Sequence, residues 1–139
     1  NILVHAYLMY GFPTQTEQET IDSLEVVRQL FINECISSAY WHRFSVTAHS
    51  PVGLNPQKYQ IQILPPKSSK NGIFAINDLP FQENQNTTDH DLLGLGLKKA
   101  LYNYQLGIGL DYNLQDWFEH QIPRTQISKN YIVKIIKSK

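Results

Sequence analysis

The chain has 139 residues, the size of one ordinary domain. Twelve Lys and Arg balance twelve Asp and Glu, so no global field draws it to nucleic acid or to an anionic membrane. A hydrophobic content of 42% excludes disorder throughout, and a single cysteine excludes an internal disulfide framework or a CxxC metal site. No apolar run approaches the roughly 20 residues that span a bilayer. With no signal-peptide pattern at the start, a reduced cytoplasmic setting is expected.

The first element is an apolar run, Ile2 to Tyr10, with little polar alternation. It reads as a strand buried on both faces, as in parallel α/β sheets. Such a strand needs neighbours on both sides, so the chain is expected to be a piece of a longer protein. Gly11-Phe12-Pro13 breaks the strand. Thr14 to Glu17 fits a capping box, and Ile21, Leu24, Val27, Leu30 and Phe31 form a helical stripe, which predicts a helix over about 16–33. Ala39 to Thr47 is rich in aromatic and β-branched residues and reads as a second strand. Strand, helix and strand make a βαβ unit, so the two strands are expected to be parallel.

Beyond Gly53 the pattern shortens. Tyr59 to Leu64 and Ile73 to Ile76 read as strands around turn material from Pro65 to Gly72, and 77–88 reads as polar loop. Asp89 is placed to cap a helix through about Leu106, with Leu93, Leu97, Ala100, Leu101 and Tyr104 on one face. Gly94 and Gly96 weaken that helix by about 1 kcal/mol each, which predicts close packing against them. Gly107-Ile108-Gly109 stops it, and a short helix is expected around 114–120. The segment 128–137 fits a helix with Ile132, Ile135 and Ile136 inward, or a strand. Residues 1–36 hold five acids and one base, and residues 120–139 hold five bases and no acid. Without an aromatic stacking platform beside it, the basic end reads as a solvated face, and nucleic acid is not the expected partner.

Among residues that could carry chemistry, His42 and His49 flank the end of the second strand. In parallel α/β sheets ligands bind outside the carboxyl ends of the strands, where Gly11 to Thr14 also falls. The plain alternative is a satisfied sheet histidine and a loop cap. Asp89-His90-Asp91 has no zinc or di-iron spacing, and its aspartates suit a helix N-terminus. A small metal-dependent hydrolase using His42, His49 and Asp89 or Asp91 stays open as a weaker reading. Gly94-Leu95-Gly96-Leu97 is no dinucleotide fingerprint, because no strand precedes it, and Cys35 has no base in register. No GxSxG, P-loop or HExxH occurs. The chain shows no complete active site, and neither catalytic nor metal-ligating residues are assigned.

The stretch Tyr7-Leu8-Met9-Tyr10-Gly11-Phe12-Pro13-Thr14-Gln15-Thr16-Glu17, followed by Thr20 to Glu25, resembles the late part of a radical S-adenosylmethionine barrel. Members often carry a strand, a G-[FL]-P-x-[EQ]-T-x-E turn and a helix, then a strand ending in S-P-x-x-G. Phe44 to Gly53, ending Ser50-Pro51-Val52-Gly53, fills that last place. The resemblance is closest to the iron–sulfur oxidoreductases of the cobalamin-binding, radical S-adenosylmethionine type, and covers about a third of the chain.

The resemblance implies an α/β chain made of the terminal βαβ of a TIM-type partial barrel (1–53) and an α+β C-terminal accessory cap (54–139). It implies that Tyr10, Gly11, Phe12 and Pro13 border the cofactor and that His42, Thr47 and His49 lie on the substrate side. The parent would use an iron–sulfur cluster and S-adenosylmethionine, with any cobalamin-binding domain upstream. The family's C-x-x-x-C-x-x-C motif is missing here, so this piece holds no such cofactor and is not an enzyme by itself. Its expected partners are the N-terminal remainder of its own chain, a small-molecule substrate, and a second copy through an exposed strand edge. The alternative is a free-standing, non-catalytic α/β binding or scaffold module, which predicts a complete sheet with its first strand at a covered edge.

Overall fold

The computed structural model describes residues 2–65 and 77–138. The predicted strand Ile73 to Ile76, and all of its flanking turn after Pro65, lie outside the described residues. The protein is a mixed α/β chain that divides into two compact units, one of 1–11, 15–43 and 88–139, the other of 12–14 and 44–87.

In the first unit, β1 (His5–Tyr10) pairs in parallel with β2 (Ser38–Arg43), with Tyr7 opposite Tyr40 and Met9 opposite His42. The helix between them, α1 (Glu17–Ile32), gives the crossover that parallel strands require. Its capping box lies two residues later than expected: Thr16 accepts from Glu19 N–H, and the Glu19 carboxylate accepts from Thr16 N–H. Gln15 is still part of the preceding turn, its Oε1 accepting from Gly11 N–H at 2.6 Å, so the helix cannot begin there.

Ile21, Leu24 and Val27 of α1 meet Ala6, Leu8 and Tyr10 of β1 and Ala39 and Trp41 of β2 in one core. The helix α3 (His90–Tyr104) closes that core with Leu93, Leu97, Ala100, Leu101 and Tyr104. Asp89 caps α3 as expected, accepting from Leu92 N–H at 2.9 Å. The two glycines are explained by contact: a Cβ on Gly94 would strike the ring of Tyr10, and one on Gly96 the ring of Phe118. Gly94→Ala therefore sets a helix-propensity gain of about 1 kcal/mol against overpacking of about 1–3 kcal/mol. A net loss of stability in urea unfolding is expected, and a net gain would mean that Tyr10 yields freely.

The C-terminal segment settles as a helix, α4 (Tyr131–Lys137), rather than a strand. Ile132 is buried, but Ile135 and Ile136 are exposed, contrary to expectation. The helix is two turns long and is held at its start, where Ile132 N–H donates to Gln29 Oε1, so its last turn projects outward. The predicted helix around 114–120 shortens to a 3-10 turn at Leu114–Trp117.

Trp117 Nε1 donates to the buried Tyr104 Oη at 3.0 Å. Burial, partly offset by that hydrogen bond, pushes the Tyr104 phenol up to about 12. Unfolded, it would ionise near pH 10, so the stability it contributes is intact below pH 10 and is lost as pH rises towards 12. Between pH 9 and 12 the protein is expected to lose about 2–3 kcal/mol more than Tyr104→Phe does in urea titrations. Parallel losses would place the phenol in solvent.

In the second unit, β3 (Val46–Thr47) pairs antiparallel with β5 (Asp78–Leu79), and β4 (Ile61–Ile63) with β6 (Phe81–Glu83). Two strands thus occupy part of the stretch read as loop. The strand expected over Tyr59 to Leu64 is reduced to β4, because Pro56–Tyr59 forms a 3-10 turn ending at Gln60 with positive φ. Val46, Val52 and Ile61 form this unit's core, surrounded by Phe12, Phe44, Tyr59 and Phe81. The single strand predicted from Ala39 to Thr47 is two strands, since Phe44 joins this second core instead of continuing β2.

Candidate functional site

The sheet of the first unit has two unlike faces, because successive side chains alternate. Ala6, Leu8, Tyr10, Ala39 and Trp41 pack under the helices, whereas His5, Tyr7, Met9, Tyr40 and His42 face outward and are exposed. The expectation that the first strand is buried on both faces is therefore corrected within this chain: Tyr7 is 76% and Met9 59% exposed. The outward rings form a ladder. Tyr7 and His42 stack with centroids 5.1 Å apart, Tyr40 lies 4.6 Å from His42, and His5 meets Tyr7 edge-on at 5.1 Å. His5 Nδ1 lies 2.6 Å from Ser38 Oγ, which fixes the end of the ladder.

The two edges of this sheet also differ. On β2, Ala39 N–H donates to the Gln105 side chain at 3.2 Å, so a side chain from beyond α3 caps that edge. No strand among the described residues pairs with β1 on the side away from β2. An open cleft of about 440 Å³ runs there, lined by Leu8, Met9, Val26, Leu30, Trp41 and Ile127 among others. The buried Trp41 Nε1 has no hydrogen-bond partner among the described residues.

The residues singled out in the sequence fall into both units. Tyr10 is buried on the helix side of the sheet, with its ring beneath Arg43 and Lys98. Gly11 adopts φ +76°, and its carbonyl accepts from Arg43 Nη1 at 2.5 Å. That positive φ is a backbone conformation L side chains rarely adopt, which suits glycine, and a Cβ there would also meet the Arg43 guanidinium. Arg43 is held in turn by Asp91 at 3.1 Å. His42 belongs to the outward ring ladder.

In the second unit, Phe12 packs edge-on against Phe44 and Tyr59, and the Pro13 carbonyl accepts from Asn86 Nδ2 at 3.0 Å. The Thr47 carbonyl accepts from Ser50 Oγ at 2.8 Å, and Ser50 Oγ accepts from Gly53 N–H at 3.0 Å. Pro51 opens a short helix, α2 (Pro51–Leu54), and a Cβ on Gly53 would strike the Thr47 carbonyl. The Ser-Pro-x-x-Gly segment is thus a compact local turn, with His49 in its loop. Reading from the sequence missed Tyr7, Tyr40 and His5. The signal available was the two-residue spacing His5-Tyr7 and Tyr40-His42, which puts four rings on one face of paired strands.

Asp89 and Asp91 are engaged at the start of α3, one as its cap and one on Arg43. Among the described residues no group of three or more His, Cys, Asp or Glu is placed to hold a metal. Cys35, half-buried beside the Asn33 carbonyl, is the chain's one thiol, and one thiol does not fit a cluster that needs three. No helix of the described residues is long and apolar enough to cross a membrane. No protein-family model matches the chain, and no curated protein or solved structure matches it.

Proposed function

We propose that the chain is the substrate-side wall and cap of a radical S-adenosylmethionine iron–sulfur oxidoreductase, with the cluster held by another part of the parent protein. The observation that carries the reading is the asymmetry of the β1–β2 sheet. One face is sealed by helices, one edge is capped by a hydrogen bond to Gln105, and among the described residues no strand covers the opposite face or edge. A sheet with a capped last edge and a bare first edge suits the terminal strands of a larger parallel sheet whose remaining strands join at β1. The Gly-Phe-Pro turn, the α1 crossover and the Ser-Pro-x-x-Gly turn occur in the order the resemblance requires.

In this role the chain binds and orients a substrate and excludes water, while radical chemistry is supplied by a cofactor seated elsewhere. A free-standing binding module would need the β1 edge covered.

A bare apolar edge with no Lys or Pro gatekeeper pairs with other edges. The isolated chain is expected to self-associate in light scattering, and Leu3→Lys, at a position 82% exposed, to shift it towards monomer. A strict monomer at all concentrations, with the edge amides protected from hydrogen exchange, would overturn the reading.

A further inference from the structure

We infer that the ladder His5–Tyr7–His42–Tyr40 is a platform for a flat, uncharged conjugated ring of the substrate; this rests on the reading of the chain as a substrate-side wall. Four observations narrow the occupant. The face is built of rings, and Tyr7 and His42 already stand near-parallel at 19°, so a further ring can stack in continuation.

The outward side chains of the two strands are His5, Tyr7, Met9, Ser38, Tyr40 and His42, none of which carries a permanent charge. Arg43, the one permanently charged residue of the pair, is held by the Gly11 carbonyl and Asp91. A charged ligand laid on this face would lose water without gaining a counter-ion. Within β1 and β2 this face carries rings, a thioether and a hydroxyl but no Val, Ile or Leu.

Size narrows the ligand further. Strands lie about 4.8 Å apart and outward side chains recur about every 6.7 Å along each, an area that fits one or two fused rings. Met9, beside His42 in register, offers a polarizable thioether that adapts to a ring edge.

The test follows the imidazole ring signals of His5 and His42 by NMR while 2-naphthol is added. The comparison ligands are 1-adamantanol, apolar but not flat, and 2-naphthoate, flat but charged. Saturable shifts at both histidines are expected with 2-naphthol, with each comparison ligand about tenfold weaker or more. The double variant Tyr7→Ser/His42→Ser should lose the binding. Should it fail to fold, Tyr40→Ser, at a position 53% exposed, is expected to weaken it.

Equal binding of 1-adamantanol would reduce the platform to a plain apolar surface, and the absence of shifts at His5 and His42 would remove it. The two claims fail separately. Ring binding without a cluster motif elsewhere in the coding sequence would leave the platform and overturn the wall, and the reverse outcome would leave the wall and overturn the platform.

Discussion

Replacing Glu25 with Ala is expected to cost about 3–5 kcal/mol, the range for breaking a buried ion pair by removing one partner. Glu25 is 2% exposed, and its carboxylate accepts from Arg28 Nε at 2.9 Å, Arg28 Nη2 at 2.8 Å and Gln29 Nε2 at 2.8 Å. Burial alone would pull the Arg28 guanidinium down, but the hydrogen bond and charge of Glu25 outweigh it and hold it above its ordinary value. The same side chains tie distant segments to α1. Arg28 Nη1 donates to the Leu110 carbonyl, and Gln29 donates to the Ser128 carbonyl and accepts from Ile132 N–H.

Loss of the carboxylate removes the counter-charge of a partly buried cation and three of the hydrogen bonds made by Arg28 and Gln29. Urea unfolding checks the magnitude, and a change below about 1 kcal/mol would mean that water replaces the carboxylate. Converting both Glu25 and Arg28 to Leu is expected to recover most of the loss, because a well-packed apolar pair avoids the desolvation of charge.

Leu97→Ala is expected to cost about 2–5 kcal/mol, the range for deleting a large aliphatic side chain from a closed core. Leu97 is fully buried on α3 within the cluster that contains Leu24, Trp41 and Tyr104. Its neighbours on the helix cannot collapse into the space easily. Gly94 is pressed against Tyr10, and Gly96 against Phe118, so the helix is already at closest approach. Thermal and urea unfolding together check the value. A cost near that of an exposed site, within about 0.5 kcal/mol, would show that α3 is not the lid of this core.

Long, periodic elements were legible in the sequence. The apolar run placed β1, the Ile21–Leu24–Val27 stripe placed α1, and the length between the strands dictated a parallel pair. Asp89 marked the start of α3, and the two glycines marked its contact surface.

What stayed hidden has physical causes. Thr14-x-x-Glu17 and Thr16-x-x-Glu19 both satisfy a capping box, and only the use of Gln15 in the Gly11 turn decides between them. The strands β5 and β6 are two and three residues long, too short to show a period. The open face of β1 was not legible because an uninterrupted apolar run looks the same whether or not its second face is covered. The resemblance pointed to His42; the two-residue spacings put rings on one face of each strand, and the parallel register that sets Tyr7 opposite Tyr40 and Met9 opposite His42 brings the two rows together.

Whether this chain ends a radical enzyme is read from the coding DNA upstream of the Asn1 codon, over about a thousand bases, enough for a barrel of ordinary size. An in-frame C-x-x-x-C-x-x-C is expected there, followed by repeated strand–helix patterns whose last strand joins β1. A stop codon in frame, or a start codon just ahead of Asn1, would contradict it.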